Sequence, residues 1–331
     1  MNKTILLVGG GGYIGTVLTK YLLLKGFNVK CFDALIYSQK KCIEPILKNK
    51  SYEFILGDIR DESAIKKIIS KINYVVILAG LVGDPITAKY PEESEEINLY
   101  AIKNLIKKFE GKDIKKVIFI STCSNYGIID EKSSADENHI LNPLSSYAKH
   151  KVEIENYIMG LKNQIDYSPT ILRFATAFGL SPRMRFDLTV NHFTKEIVNK
   201  KLLNIFDQNT WRPYCHVNDF ARLIEITINA SKEKTHFQIF NAGSDENNFT
   251  KKSIIDEIIK IIPSKNIHYE KNDRDKRNYK VNFNKVKKIL NFKAKYNLQY
   301  GIKEISNAIK SGLFPDQKKN IEELGNFKIK F

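Results

Sequence analysis

An apolar run, Ile5-Leu6-Leu7-Val8, ends in four consecutive glycines, Gly9 to Gly12, and the chain then enters Tyr13-Ile14-Gly15. A strand that turns this tightly, lets its backbone approach a ligand and hands over at once to a helix has few folds open to it. The junction suits a dinucleotide pyrophosphate, because the N–H groups of a helix N-terminus point at the negative charge. Two registers fit, Gly10-x-Gly12-x-x-Gly15 and Gly9-x-x-Gly12-x-x-Gly15, and the sequence alone does not separate them. An amphipathic stretch follows (Val17, Leu18, Tyr21, Leu22), then a second strand, Asn28 to Phe32, closing on Asp33. A carboxylate about 20 residues past the glycines accepts hydrogen bonds from a ribose 2′-hydroxyl and repels a 2′-phosphate. That favours NAD over NADP.

Strand and helix patterns alternate through the first half. Strands read at about 3–8, 28–33, 52–56, 73–79, 115–121 and 168–174, and helices at about 13–25, 61–71, 91–110 and 144–161. Strands as apolar as Val75-Val76-Ile77-Leu78 and Val117-Ile118-Phe119-Ile120 imply an α/β fold with a doubly wound parallel sheet covered on both faces. Ligands in such sheets sit beyond the carboxyl ends of the strands. After Gly179 the rhythm changes. A loop, Ser181-Pro182-Arg183-Met184-Arg185, precedes helices expected near 187–200, 217–230, 250–262 and 299–312, with a strand at Leu203 to Phe206. Residues 1–178 are therefore expected to form the cofactor domain and 179–331 mainly a smaller C-terminal α/β substrate-binding lobe. A strand at Phe237 to Asn241 is free to rejoin the first sheet. The tail beyond Pro315 is charged and gives no functional signal.

The chain's 331 residues are enough to bury a full core. A formal net charge of +16 invites a nucleic-acid reading, but the lysines are scattered along helices, without a basic arm or a basic run interleaved with aromatics. No nucleic acid is expected. No apolar run approaches the roughly 20 residues of a membrane span, and the first strand begins almost at once. The expected location is cytoplasmic, with no membrane partner. The four cysteines, Cys31, Cys42, Cys123 and Cys215, lack metal-ligand spacing, so neither a metal site nor a disulfide framework is expected.

Ser121-Thr122-Cys123-Ser124-Asn125-Tyr126-Gly127 closes the fifth strand, and Asn142-Pro143-Leu144-Ser145 reads as a capped helix start. Tyr147 and Lys151 follow, four apart and hence on one helix face. Tyr21/Lys25 and Tyr37/Lys41 share that spacing, but no strand-end hydroxyl cluster precedes them. Taking a hydride from a sugar carbinol also requires removal of the hydroxyl proton, and a tyrosinate can do this. Lowering a phenol from about 10 to about 7 needs roughly 4 kcal/mol of differential stabilisation, which two close positive charges supply in a partly desolvated site. Lys151 and an oxidised nicotinamide would be those charges, and Thr122 would orient the reacting oxygen.

With these residues in view, the chain resembles an extended short-chain dehydrogenase/reductase of the NAD-dependent epimerase/dehydratase family, over about residues 3 to 312. The carriers are Gly9, Gly12 and Gly15, Asp33, Gly57-Asp58-Ile59, Leu78-Ala79-Gly80, Thr122, and Tyr147 with Lys151. In the second lobe they are Arg173-Phe174, Phe178-Gly179, the run Trp211 to Asp219, and Arg277. The resemblance implies a Rossmann-type fold, NAD bound tightly, and a homodimer formed by the helices near 91–110 and 144–161. It implies cofactor contacts from Gly9, Gly12, Tyr13, Ile14, Gly15, Asp33, Asp58, Ile59, Leu78, Ala79, Gly80, Tyr147 and Lys151. It implies a nucleotide-diphosphate sugar, GDP- or UDP-linked, whose diphosphate Arg212 and Arg277 would clamp. Arginine suits that role because its planar fork pairs bidentately with phosphate.

Departures from the family narrow the reaction. Cys123 and Ser124 stand where 4,6-dehydratases carry an Asp-Glu pair, so dehydration is disfavoured and both residues are expected only as neighbours of the substrate. Redox chemistry at a ring carbinol remains, most simply at C4, as a UDP-hexose 4-epimerase or a 4-dehydrogenase. Leu81-Val82-Gly83-Asp84-Pro85 and the stretch from Leu180 to Phe193, with Arg183, Arg185 and Asn191 as expected substrate contacts, resemble GDP-heptose 4-dehydrogenases of bacterial capsule pathways. Arg183 and Arg185 would also suit a 2-oxo acid that reoxidises NADH. The rival of another class is a non-catalytic NAD-binding sensor, which has no need of Thr122, Tyr147 and Lys151 together.

Overall fold

The structure is a computed structural model, and it describes residues 3–271, 277–314 and 324–330. The apolar runs become β1 (Thr4–Val8), β2 (Asn28–Asp33), β3 (Tyr52–Leu56), β4 (Tyr74–Ile77), β5 (Lys116–Thr122) and β6 (Ser168–Phe174). Between and after them lie α1 (Tyr13–Leu24), α2 (Glu62–Ile68), α3 (Asp84–Lys89), α4 (Pro91–Glu95), α5 (Ile102–Lys107) and α6 (Ser146–Gly160). The chain then makes β7 (Thr176–Phe178), β8 (Leu203–Phe206) and β9 (Trp211–His216) before β10 (Gln238–Ala242) returns to the first sheet. All neighbouring pairs of the seven-stranded sheet, in the order β3-β2-β1-β4-β5-β6-β10, are parallel.

Alternate residues of each strand feed opposite faces, and both faces are apolar, as a doubly covered sheet requires. Ile5, Leu7 and Ile118 join one core with Leu18 and Leu22 of α1, whereas Leu6, Val8 and Phe119 join another with Ile154 and Ile158 of α6. Strand order reverses between β1 and β4, which opens a crevice at their carboxyl ends.

The second lobe holds α7 (Thr189–Val198), β11 (Asn248–Thr250), α10 (Lys251–Ile261), β12 (Ile267–Glu270) and α12 (Leu298–Lys310), whereas α8 (Val217–Asn229), α9 (Lys232–Thr235) and α11 (Asn284–Leu290) pack on the first lobe. Its own core gathers Phe178, Val190, Phe193, Ile197, Tyr214, Ile254, Ile258 and Ile302. The chain crosses between lobes more than once: α8 shares the first core with α1, and β10 pairs with β6. No helix among the described residues is long and apolar enough to cross a membrane.

Three local expectations are revised. Residues 91–110 are not one regular helix, because a π-helical stretch at Glu96–Ala101 separates α4 from α5. The loop from Ser181 to Phe186, expected to offer its arginines to a substrate, is packed inside apart from the exposed Pro182, with Arg183 and Met184 each 1% exposed. The tail is not idle, since residues 324–330 dock back on the first lobe, where Lys330 N–H donates to the Ile36 carbonyl at 2.7 Å.

Candidate functional site

A single cavity of about 440 Å³ runs from the glycine turn to the second lobe. Its volume lies in the range of small-molecule sites. At one end Gly9 has φ +87°, and a Cβ there would lie 2.5 Å from the Ala79 nitrogen. A Cβ on Gly15 would lie 2.6 Å from the Gly10 backbone, whereas one on Gly12 would meet only the Gly9 carbonyl at 3.4 Å. Gly9, Gly12 and Gly15 line the cavity with Tyr13 and Ile14. That selects the Gly9-x-x-Gly12-x-x-Gly15 register for the wall. Helix α1 starts at Gly12 with neither a side-chain cap nor an acidic residue in its first turn, so its N-terminus stays receptive to a phosphate.

Asp33 closes β2 at the same end. Its carboxylate accepts from Leu35 N–H at 2.7 Å and Gly11 N–H at 2.8 Å. Burial pushes its carboxyl above the usual range, and those hydrogen bonds and the Arg183 guanidinium oppose the rise. Asp58 (bidentate to Arg60), Ile59, Leu78, Ala79 and Gly80 continue the wall. These features fit a dinucleotide whose pyrophosphate lies over the α1 N-terminus and whose ribose lies beside Asp33.

At the carboxyl end of β5, the Thr122 hydroxyl accepts from Ser124 N–H at 3.1 Å. Ser145 caps α6 by accepting from Ala148 N–H at 3.3 Å, which sets Tyr147 in the first turn with its phenol near the Thr122 hydroxyl. One turn on, Lys151 is buried; its amine donates to the Ile120 carbonyl at 2.8 Å and lies 5.9 Å from the centre of the Tyr147 ring. Burial pulls the Lys151 amine down to about 8, with Glu155 opposing. Burial pushes the Tyr147 phenol well up, and Asp84 adds to the rise; Arg185 and the Thr122 hydroxyl work against it. Arg185 is thus a cation favouring the phenolate that sequence reasoning does not place here.

At the far end, Arg212 lies 4.9 Å from the centre of the Tyr279 ring and donates to the Trp211 and Arg277 carbonyls. Arg277 pairs with Asp84 at 2.5 Å. Arg185 forks onto Asp187 at 2.5 and 3.1 Å.

Several expected substrate contacts are placed elsewhere. Cys123 is 1% exposed and turns its thiol to the Arg173 carbonyl at 3.2 Å, away from the cavity wall. Asn191 is fully buried; its amide accepts from Gly179 N–H and donates to Tyr13 Oη and the Arg185 carbonyl, so it braces the loop instead of lining the cavity. Arg183 reaches the cofactor end, 4.8 Å from the Tyr37 ring centre, where it donates to the Gly325 carbonyl at 3.0 Å. Ser124 does line the cavity, with its hydroxyl 3.3 Å from Tyr279 Oη. Sequence reasoning assigned no role to Asp84, Tyr279, Asn326 or Phe327, all of which line it too. Among the described residues no cluster of three or more His, Cys, Asp or Glu suits a metal ion.

Comparison with known proteins agrees with this geometry. The profile of the NAD dependent epimerase/dehydratase family matches residues 5–243. A putative UDP-glucose 4-epimerase of Methanocaldococcus jannaschii is 26% identical over 318 residues, covering 93% of this chain and 98% of that protein. A UDP-glucuronate 4-epimerase of Thermodesulfobacterium geofontis is 27% identical over 337 residues, covering 98% and 99%. The crystal structure of the Thermotoga maritima UDP-glucose 4-epimerase with UDP-glucose superposes with a TM-score of 0.83 at 25% identity, covering 94% of this chain and 99% of that one.

Proposed function

The chain belongs to the NAD-dependent epimerase/dehydratase family, and we propose that within it the protein oxidises C4 of a nucleotide-diphosphate sugar and acts as a 4-epimerase. The observation that carries this reading is the Thr122–Tyr147 pair, set in one cavity between the glycine turn and the arginines Arg212 and Arg277. NAD, when bound, supplies a positively charged two-electron acceptor for the carbinol. Tyr147 and Thr122 hold the C4 oxygen, and Tyr147 takes its proton and later returns it. Burial alone keeps the phenol protonated, so proton removal depends on positive charge arriving beside it. Lys151 holds the nicotinamide ribose, and Arg212 and Arg277 hold the diphosphate.

Two observations favour inversion over net dehydrogenation or dehydration. Arg185 is matched by Asp187, and Arg183, whose Nε and Nη1 have no hydrogen-bond partner, stands at the cofactor end over the Tyr37 ring, so the sugar end offers no loop arginine to a 2-oxo acid. The inward-turned Cys123 thiol, pushed well up by burial, offers no acid/base for eliminating water.

The experiment follows NADH absorbance as UDP- and GDP-linked hexoses and heptoses are added, with and without a 2-oxo acid, and analyses the sugar. Inversion at C4 with little net reduction is expected. Sustained reduction reversed by a 2-oxo acid would make it a 4-dehydrogenase, the GDP-heptose reading. Silence from every sugar would favour the sensor.

A further inference from the structure

Asp84 opens α3 just beyond β4, and its carboxylate stands in the wall of the cavity that also holds Tyr147. One oxygen, Oδ2, pairs with Arg277 across the cleft at 2.5 Å. The other, Oδ1, is buried and has no hydrogen-bond partner. A buried carboxylate oxygen without a donor is costly and calls for an explanation. The neighbouring cations do not provide one. Gly83, at φ +116°, brings the backbone next to Arg185, whose Nη2 a Cβ on Gly83 would meet at 3.6 Å. Arg185, however, is already forked onto Asp187. Arg185 and Arg277 are thus each matched by a carboxylate of the protein itself.

A bound nucleotide sugar changes this balance. Its diphosphate competes for Arg277, because a guanidinium pairs with phosphate at least as well as with a lone carboxylate. Asp84 then keeps its charge unmatched, with Oδ2 released to accept and Oδ1 still without a donor. A sugar hydroxyl satisfies that need. A sugar carboxylate cannot, and it adds a second negative charge in a desolvated site.

We propose that Asp84 is a specificity-determining residue that selects neutral sugars, accepting a hydroxyl of the substrate and rejecting sugars oxidised to a C6 carboxylate. The proposal rests on the reading of this cavity as a nucleotide-sugar site, and it divides substrates that the relatives' names place side by side, glucose from glucuronate.

The test is calorimetric binding to the NAD-loaded protein of two pairs, UDP-glucose against UDP-glucuronate and GDP-mannose against GDP-mannuronate. Each pair differs only in oxidation at C6. In the wild type the neutral sugar binds at least about tenfold more tightly, the preference narrows as salt is raised, and D84N brings the ratio close to one. The salt series needs no variant, so a poorly folding D84N leaves the proposal testable. Equal binding of the two members, a preference for the uronate, or a preference unmoved by both salt and D84N overturns the role of Asp84 alone. Binding of neither pair by a protein that retains NAD overturns the nucleotide-sugar reading, and this inference with it.

Discussion

Arg173 on β6 grips Glu155 in the middle of α6, Nη2 to Oε2 at 2.6 Å, with the two side chains only 4% and 2% exposed. The pair ties the strand beside Thr122 to the helix that carries Tyr147. Glu155 also accepts from Ser121 and, at 2.9 Å, from Asn125 Nδ2, and so anchors the residues on either side of Thr122. Arg173 further donates to Tyr126 Oη at 3.0 Å.

Removing one partner strands the other's charge in the interior. Arg173→Met is expected to cost about 3–5 kcal/mol, whereas the double change Arg173→Met with Glu155→Leu recovers much of that, because a well-packed apolar pair replaces a buried ion pair. Urea unfolding of the two singles and the double measures the coupling. Additive losses would show that the pair does not act as a unit.

Lys151 gives the opposite result for stability. Its amine is charged at pH 7 in the folded and the unfolded chain, and a fall from 10.5 to about 8 means that burying the charge costs about 3 kcal/mol. Between about pH 8 and 10 the unfolded chain holds more protons, so stability rises with pH through that window; above it the cost is gone. Lys151→Met should therefore make the NAD-free protein more stable at pH 7, by roughly 1–3 kcal/mol, with the gain fading between about pH 8 and 10 while turnover is lost. A variant less stable than wild type at pH 7 would contradict this.

For Tyr147→Phe the ring stays and only the hydroxyl goes. The glycine turn, Asp33 and Lys151 are untouched, so NAD content of the purified protein should be unchanged. Turnover should fall by about 10²–10⁴-fold, the usual contribution of a positioned acid/base. Because burial holds the phenol above its ordinary range, wild-type activity should also climb with pH on the alkaline side, a limb absent from the variant. Full activity in Tyr147→Phe would remove the tyrosine from the chemistry.

The sequence exposed most of the first lobe, because strands as apolar as Tyr74–Ile77, which is fully covered in the fold, admit little else between turn residues. Gly9, Gly12, Gly15, Asp33, Thr122, Tyr147 and Lys151 come together in one cavity because they sit at strand ends or helix starts, where backbone position alone sets the side chain. Side-chain direction in loops was the illegible part. Nothing local distinguishes Arg183, drawn to Tyr37 and Gly325, from Arg185, forked onto Asp187. Cys123 and Asn191 sit beside cavity residues in sequence but turn inward to the Arg173 carbonyl and Gly179 N–H, partners set by tertiary packing. Asp84 could be read as a surface residue until Arg277 arrived opposite it from far along the chain.

The tail was hidden for a related reason: it docks largely through backbone groups, which leave no pattern in a sequence. The Leu324 carbonyl accepts from Phe186 N–H at 2.7 Å and the Gly325 carbonyl from Arg183, while Asn326 donates to the Val82 carbonyl at 2.9 Å. Val82, Arg183 and Ile36, which takes the Lys330 N–H, all line the cavity, as do Asn326 and Phe327 themselves. The segment thus straps the cofactor end of the cavity, and Ile329 buries its side chain in the core beneath. At about 1 kcal/mol for each hydrogen bond, losing two or three of them is worth tenfold or more in an equilibrium or a rate. A chain cut after residue 323 should therefore release NAD about tenfold faster, or more, than wild type, read by the NAD left on the protein at timed intervals after dilution. Its melting temperature in the NAD-free state should fall only modestly, since few core side chains leave with the strap. An unchanged release rate would mean that the strap decorates the cavity without closing it.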